Sequence, residues 1–233
     1  MIDINDEGNV RVVTLNRPDR RNALTPTGLE SIQDAVESCS APVLYFRGAG
    51  DAFCAGADRS TVASIADDGD TEAFVRQGQQ TATVIENSSS IVIVGIDGAA
   101  RGGGVELALA CDIRLGTSHA TFGEPGVTFG LFGAWGGTVR LPEIVGLGDA
   151  LDFSLSGRVL DCEEALRIGL ISRIVDDPRS VADRIGENDP QALSHLKSRL
   201  RDRADPPQQE SREVAAFETL VEGHSERLQE FGE

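Results

Sequence analysis

Two blocks of β-branched and apolar residues, Val43-Leu44-Tyr45-Phe46 and Ile91-Val92-Ile93-Val94-Gly95-Ile96, are each followed by a glycine-rich stretch. The first leads to Phe53-Cys54-Ala55-Gly56-Ala57-Asp58 and the second to Gly102-Gly103-Gly104-Val105-Glu106. Short apolar runs of this kind read as buried strands, and Val105 to Cys111 opens an apolar helical segment, so the second set of glycines falls at a helix N-terminus. Such a terminus offers unpaired N–H donors and the positive end of the helix dipole, and glycine lets a ligand approach the main chain without a Cβ in the way. Two such donors converging on one oxygen would form an oxyanion hole. Either stretch alone is equally well explained by a tight turn. The pair, with Glu106 beside one of them, favours a site.

The rest of the chain supplies the frame. Val10 to Leu15 reads as a strand, and Thr25 as the N-cap of a helix with Pro26 at its first position and Leu29, Ile32 and Val36 on one face. After the Val43 strand, residues Ala66 to Asp70 read as an acidic loop and Thr71 to Glu86 as a helix leading to the Ile91 strand. The order β-α-β-α-β predicts an α/β fold with largely parallel pairing. From about Pro142 the pattern is mainly helical, interrupted by short apolar runs such as Gly169 to Val175. A chain of 233 residues suits one domain with a sizeable core, with or without a small helical appendage. Near its end Val214, Phe217, Leu220, Val221 and Leu228 recur at helical spacing; one face is buried, either within the chain or against another subunit.

Composition excludes several functions. A net charge of -17 argues against nucleic acid and anionic membrane as partners, so any phosphate must be met locally by arginine. No apolar run is long enough to span a bilayer, and the acidic start, Met1 to Glu7, does not read as a secretion signal, which leaves a soluble cytoplasmic protein as the expectation. Cys39, Cys54, Cys111 and Cys162 lack metal-like spacing, and His119, His195 and His224 are scattered, so neither a disulfide, a metal centre nor a nucleophilic triad is expected. Of 21 Lys+Arg only Lys197 is a lysine, against 38 Asp+Glu. That skew is expected of a protein working in concentrated salt, where screening relieves the self-repulsion of a carboxylate surface.

The two glycine motifs, in this order, resemble the enoyl-CoA hydratase/isomerase (crotonase) family. So do Asn16-Arg17-Pro18-Asp19-Arg20-Arg21-Asn22-Ala23-Leu24, Phe122-Gly123-Glu124-Pro125, Gly136-Gly137-Thr138-Val139-Arg140-Leu141 and Glu164-Ala165-Leu166-Arg167-Ile168-Gly169-Leu170. The resemblance covers the chain from about Val10 to about Val175 and weakens beyond. It implies a crotonase-type spiral of ββα turns, with residues 1–180 as an α/β core and 181–233 as a helical region for trimerisation or a lid, in a homotrimer or a hexamer of paired trimers. The implied partner is an acyl-CoA thioester, with coenzyme A part of the substrate and no resident cofactor.

The resemblance also assigns roles. Ala57 and Gly103 match the two residues whose N–H groups polarise the thioester carbonyl, a device suited to any reaction that passes through an enolate. Glu106 matches the first of the two hydratase glutamates and is the expected proton carrier. The second falls at Gly126, so that carboxylate is missing; Glu124, two residues away, replaces it only if the loop is rearranged. For coenzyme A, the backbone near Ala55 and Asp58 would meet the adenine, with Arg20, Arg21 and Arg59 available for the phosphates. Trp135 either narrows the acyl pocket, together with Glu124 and Gly126, or fills core space. Enoyl-CoA hydration is the leading expectation. Decarboxylation, thioester hydrolysis and non-catalytic acyl-CoA binding remain alternatives, whereas a dinucleotide site is disfavoured because the glycines miss the G-x-G-x-x-G spacing.

The charge pattern yields a direct test: the thermal unfolding midpoint should rise between dilute buffer and molar KCl. A midpoint unchanged across that range would contradict adaptation to high salt.

Overall fold

The structure, a computed structural model, describes residues 1–68 and 70–230. The chain opens with a hairpin of β1 (Ile2–Glu7) and β2 (Val10–Leu15), continues through α1 (Pro26–Glu37) into β3 (Val43–Gly48) and β4 (Ala52–Cys54), and then forms α2 (Arg59–Asp68) and α3 (Thr71–Glu86). Next come β5 (Ile91–Ile96), β6 (Ala99–Arg101), α4 (Gly103–Ala110), β7 (Ile113–Gly116) and β8 (Thr121–Gly123). The remainder is α5 (Gly137–Val145), α6 (Leu147–Ser156), β9 (Val159–Asp161), α7 (Cys162–Arg167), β10 (Arg173–Ile174), α8 (Pro178–Gly186), α9 (Pro190–Leu200), α10 (Pro206–Gly223) and α11 (Ser225–Glu230).

Two sheets share these strands. The larger has the order β1-β2-β3-β5-β7-β10 and the smaller β4-β6-β8-β9. Pairing is parallel except where β1 meets β2 and β9 meets β8. Each turn of the chain gives a strand to the large sheet, a short strand to the small one and then a helix, which is the ββα spiral that the resemblance implies. The first turn is vestigial: its small-sheet strand is a single bridge between Leu24 and Ala57.

Helix α1 starts as its sequence dictates, with the Thr25 hydroxyl accepting from the Gly28 N–H and Pro26 at the first position. Its Leu29, Ile32 and Val36 face is buried. Helix α4 is buried along its whole length, because it runs through the main hydrophobic cluster with Leu107, Leu109 and Ala110 among its members. A second cluster covers the other face of the large sheet, where Val181 and Ala182 of α8 meet Val10, Val12, Val43 and Tyr45. Helix α9 is tied down by charge. Lys197 reaches Asp112 at 2.8 Å, and Arg201 pairs with both Asp112 at 2.7 Å and Glu86 at 2.9 Å.

Two points of the sequence reading need correction. Strand β1 precedes the predicted first strand; it is an edge strand carrying Asp3, Asn5 and Glu7, mostly exposed, so no apolar run marks it. Residues 66–68 continue α2 rather than forming a loop; that helix starts just after Asp58, whose carboxylate accepts from the Ser60 and Thr61 N–H groups, and Gly69 lies outside the described residues. Of the two readings left open for the apolar stripe near the C-terminus, the chain itself does not cover it: Phe217 is 67% and Val214 57% exposed, and no residue of α10 is buried.

One glycine tests the packing around the site. A Cβ added at Gly78 on α3 would lie 2.1 Å from Cδ1 of the Trp135 indole. Gly78→Ala should therefore destabilise the protein by about 1–3 kcal/mol in denaturant unfolding, the cost of overpacking. With the indole elsewhere, alanine's helix propensity would instead stabilise it by up to about 1 kcal/mol.

Candidate functional site

The two glycine motifs leave neighbouring strands of the small sheet. Strands β4 and β6 run parallel with Ala52 opposite Ala99 and Cys54 opposite Ala100, so the chain beyond Cys54 and the chain beyond Arg101 emerge at the same edge. They touch there: a Cβ at Gly56, whose φ is +84°, would lie 2.6 Å from the Arg101 carbonyl oxygen and 2.9 Å from the Gly103 nitrogen. Only glycine permits that approach. At the Leu24 bridge, the Leu24 N–H donates to the Gly56 carbonyl and the Asp58 N–H donates to the Leu24 carbonyl, both at 2.8 Å. The intervening Ala57 N–H therefore points the other way. Gly103 is the first residue of α4, where an N–H has no partner within the helix. Neither of these two N–H groups has an acceptor among the described residues.

Glu106 lies in the first turn of that helix and is 2% exposed. Its Oε1 accepts from the Trp135 N–H at 2.7 Å and the Gly137 N–H at 2.8 Å. The loop closes on it so tightly that a Cβ at Gly133 would lie 2.8 Å from the carboxyl carbon, and one at Gly137 would lie 2.9 Å from Oε1. Burial pushes the Glu106 carboxyl above its usual range, while the two N–H donors and Arg140 pull against that rise. The loop is pinned in turn by Gln79, which donates to the Ala134 carbonyl at 3.0 Å, and by the Arg140–Glu86 ion pair at 2.6 Å.

A cavity of about 450 Å3 opens beside this carboxylate. Its wall is mostly apolar, formed by Val127, Leu131 and Phe132 from the loop after β8 and by Leu141, Leu147 and Leu151 from α5 and α6. Gly133 and Gly137 belong both to that wall and to the contacts of Glu106. One carboxylate, Glu124, lines it; this side chain is buried, and its carboxyl is pushed up to about 8, first by burial and then by the charge of Glu106. Gly126 is not part of the wall. A Cβ there would meet the Leu131 carbonyl oxygen and the Phe132 Cα, each at 2.9 Å.

The Trp135 ring turns away from the cavity. Of the two readings of this residue, the structure places it as core filling: it is 3% exposed, packs edge-on to Phe74 with centroids 5.6 Å apart, and covers Gly103 so closely that a Cβ there would lie 2.2 Å from Cζ3. Its contribution to the site is its backbone N–H.

The residues proposed for coenzyme A lie along one rim. The Ala55 N–H donates to the Arg21 carbonyl at 2.9 Å, which joins the first glycine stretch to the turn carrying Arg20 and Arg21. Arg20, Arg21 and Arg59 are exposed and have no carboxylate partner among the described residues, and Arg59 stacks over the Phe129 ring at 5.4 Å. The Asp58 carboxylate is already committed: the Ser60 hydroxyl and Arg17 bind it and hold it at about 2, while its N–H donates to the Leu24 carbonyl and its carbonyl accepts from the Val62 N–H. The sequence reading missed Arg101, which donates to the Ala100 and Thr121 carbonyls, has no carboxylate partner among the described residues and sits near Arg21. Its position between the strand and the three glycines was the available signal. Among the described residues no group of three or more His, Cys, Asp or Glu is placed to hold a metal ion, and no helix is long and apolar enough to cross a membrane.

The profile of the enoyl-CoA hydratase/isomerase family matches residues 5–231. The crotonyl-CoA hydratase of Syntrophomonas wolfei is 37% identical over 72% of this chain and 66% of its own length. The short-chain-enoyl-CoA hydratase of Clostridium acetobutylicum is 33% identical over 83% and 78% of the two chains. The crystal structure of enoyl-CoA hydratase from Bacillus anthracis superposes with a TM-score of 0.91 at 30% identity, covering 99% of this chain and 95% of that one.

The buried Glu124 carboxyl makes stability depend on pH. Its folded value of about 8 exceeds the ordinary 4.5, so the folded protein holds a proton that the unfolded chain releases. That contribution is complete below pH 4.5 and is lost progressively as pH rises to about 8. Glu124→Gln should therefore match the parent near pH 4.5 and exceed it above pH 8 by a few kcal/mol, on the order of 1.4 kcal/mol per pK unit. Parallel stability curves for the two proteins would contradict this environment for Glu124.

Proposed function

Since the chain belongs to the enoyl-CoA hydratase/isomerase family, we propose that it hydrates a short-chain enoyl-CoA, with Ala57 and Gly103 as the oxyanion hole and Glu106 as a proton carrier. The observation that carries the reading is the pair of unpartnered N–H groups at adjacent strand ends, with a buried glutamate in the first turn of the helix that one of them begins. The thioester oxygen would accept from both N–H groups. As water adds at C3, the C2=C3 electron pair moves toward that oxygen, and the two donors strengthen as charge develops on it. Glu106 is held with Oε1 in two hydrogen bonds, which favours its anion and leaves Oε2 to take the proton released by water.

The acyl chain would enter the apolar cavity, with the nucleotide end of coenzyme A along Arg20, Arg21 and Arg59. The names of the two hydratases above support crotonyl-CoA as the substrate to try first. Exposed apolar side chains on α6, including Leu147 and Leu155, and on α10, including Phe217, support assembly into a trimer or a pair of trimers.

Crotonyl-CoA should lose its enoyl absorbance when mixed with the protein in molar KCl. Glu106→Gln should lower kcat by about 10²–10⁴-fold while saturated acyl-CoA still binds. Full activity in that variant would make Glu106 structural and the mechanism wrong.

A further inference from the structure

We infer that Glu124 is the second catalytic carboxylate of this enzyme, delivering the proton to C2 of the substrate from a position one strand removed from the oxyanion hole. The inference rests on the hydration reading above and adds the group that reading lacks.

The geometry comes from the small sheet. Strand β8 pairs in parallel with β6, with Arg101 opposite Gly123, and the Gly102 N–H donates to the Gly123 carbonyl at 2.9 Å. The chains leaving β4, β6 and β8 therefore present Ala57, Gly103 and Glu124 side by side at one edge, with strands about 4.8 Å apart. A thioester whose oxygen sits between the first two has its next carbons within reach of a side chain on the third.

Position 126 is closed to this task. It is a glycine, its carbonyl accepts from the Leu131 N–H at 2.9 Å, and a Cβ would meet the backbone of Leu131 and Phe132. The loop that closes it leaves Glu124 as the one carboxylate in the cavity wall. Glu124 is 9% exposed, and no hydrogen bond or ion pair engages it among the described residues, although buried carboxylates are ordinarily paired. Its lack of a partner contrasts with Glu106, whose Oε1 takes two N–H bonds. When the two carboxyls share one proton, it therefore resides on Glu124.

The steps then balance. Glu106 takes a proton from water as the oxygen bonds to C3, and the π pair becomes the enolate held at Ala57 and Gly103. The enolate pair takes the proton of Glu124 to form the C2–H bond. Glu106 is left protonated and Glu124 ionised, and transfer of one proton between them restores the resting state.

The C2 step can be read without hydration. In deuterium oxide, ionised Glu124 would remove a C2 proton from butyryl-CoA, a saturated thioester, and return deuterium. Wild-type enzyme should exchange that proton faster as pH rises through about 8. Glu124→Gln should lose exchange and hydration together by about 10²-fold or more, while butyryl-CoA binding stays within a few-fold of wild type. Glu124→Asp should recover part of both, which guards against a variant that merely misfolds. Exchange in Glu124→Gln at the wild-type rate, or no exchange by wild type, would overturn the role of Glu124. Exchange without hydration of any enoyl-CoA would instead sustain that role and sink the hydratase reading.

Discussion

The short parallel ladder between Ala52–Cys54 and Ala99–Arg101 is the contact on which the site depends. It places two chain reversals side by side, and each reversal ends in an N–H that the fold leaves unused. In the first, the Leu24 bridge takes the bonds on either side of Ala57 and turns the Ala57 N–H outward. In the second, the start of α4 leaves Gly103 without an intrahelical acceptor. Neither arrangement tolerates a side chain at the crossing. A Cβ at Gly56 would strike the Arg101 carbonyl, and one at Gly104 would strike the Cys54 carbonyl oxygen at 2.4 Å. The glycines are thus a packing requirement of two backbones, and the donor pair is a consequence of meeting it.

Burying Glu106 in an apolar helix is the main cost of this arrangement, since an isolated carboxylate in such surroundings would give up its charge. The 133–137 loop offsets that cost with two N–H donors, and it can approach because Gly133 and Gly137 have no side chains. Trp135 holds the loop down by filling the space over Gly78 and Gly103, so one residue contributes its ring to the core and its N–H to the carboxylate. An ion network extends the support outward: Arg140 pairs with Glu86, Glu86 with Arg201, and Arg201 with Asp112, which links the helix beside the cavity to α9.

Much of this was legible in the sequence where local chemistry decides the outcome. The strand of Ile91–Ile96 and the helix of Thr71–Glu86 fall where the apolar pattern and its boundaries put them, and the Thr25-Pro26 start of α1 follows from capping. The small sheet was not legible. Its strands are three residues long, too short to show a period, and their pairing is tertiary. The direction of Trp135, the commitment of the Asp58 carboxylate and the closure of position 126 likewise depend on contacts with distant segments. The stripe of Val214 and Phe217 shows the converse limit: periodicity announces an apolar face without saying what covers it, and here the chain itself does not.

The central claim, that the Ala57 and Gly103 N–H groups act together on one thioester oxygen, is tested most directly by a crystal structure of the protein with a bound acyl-CoA. The account predicts the thioester oxygen at about 2.7–3.1 Å from both nitrogens, with the acyl chain in the cavity that Glu124 lines. An acyl-CoA bound with its carbonyl oxygen away from either nitrogen would contradict it.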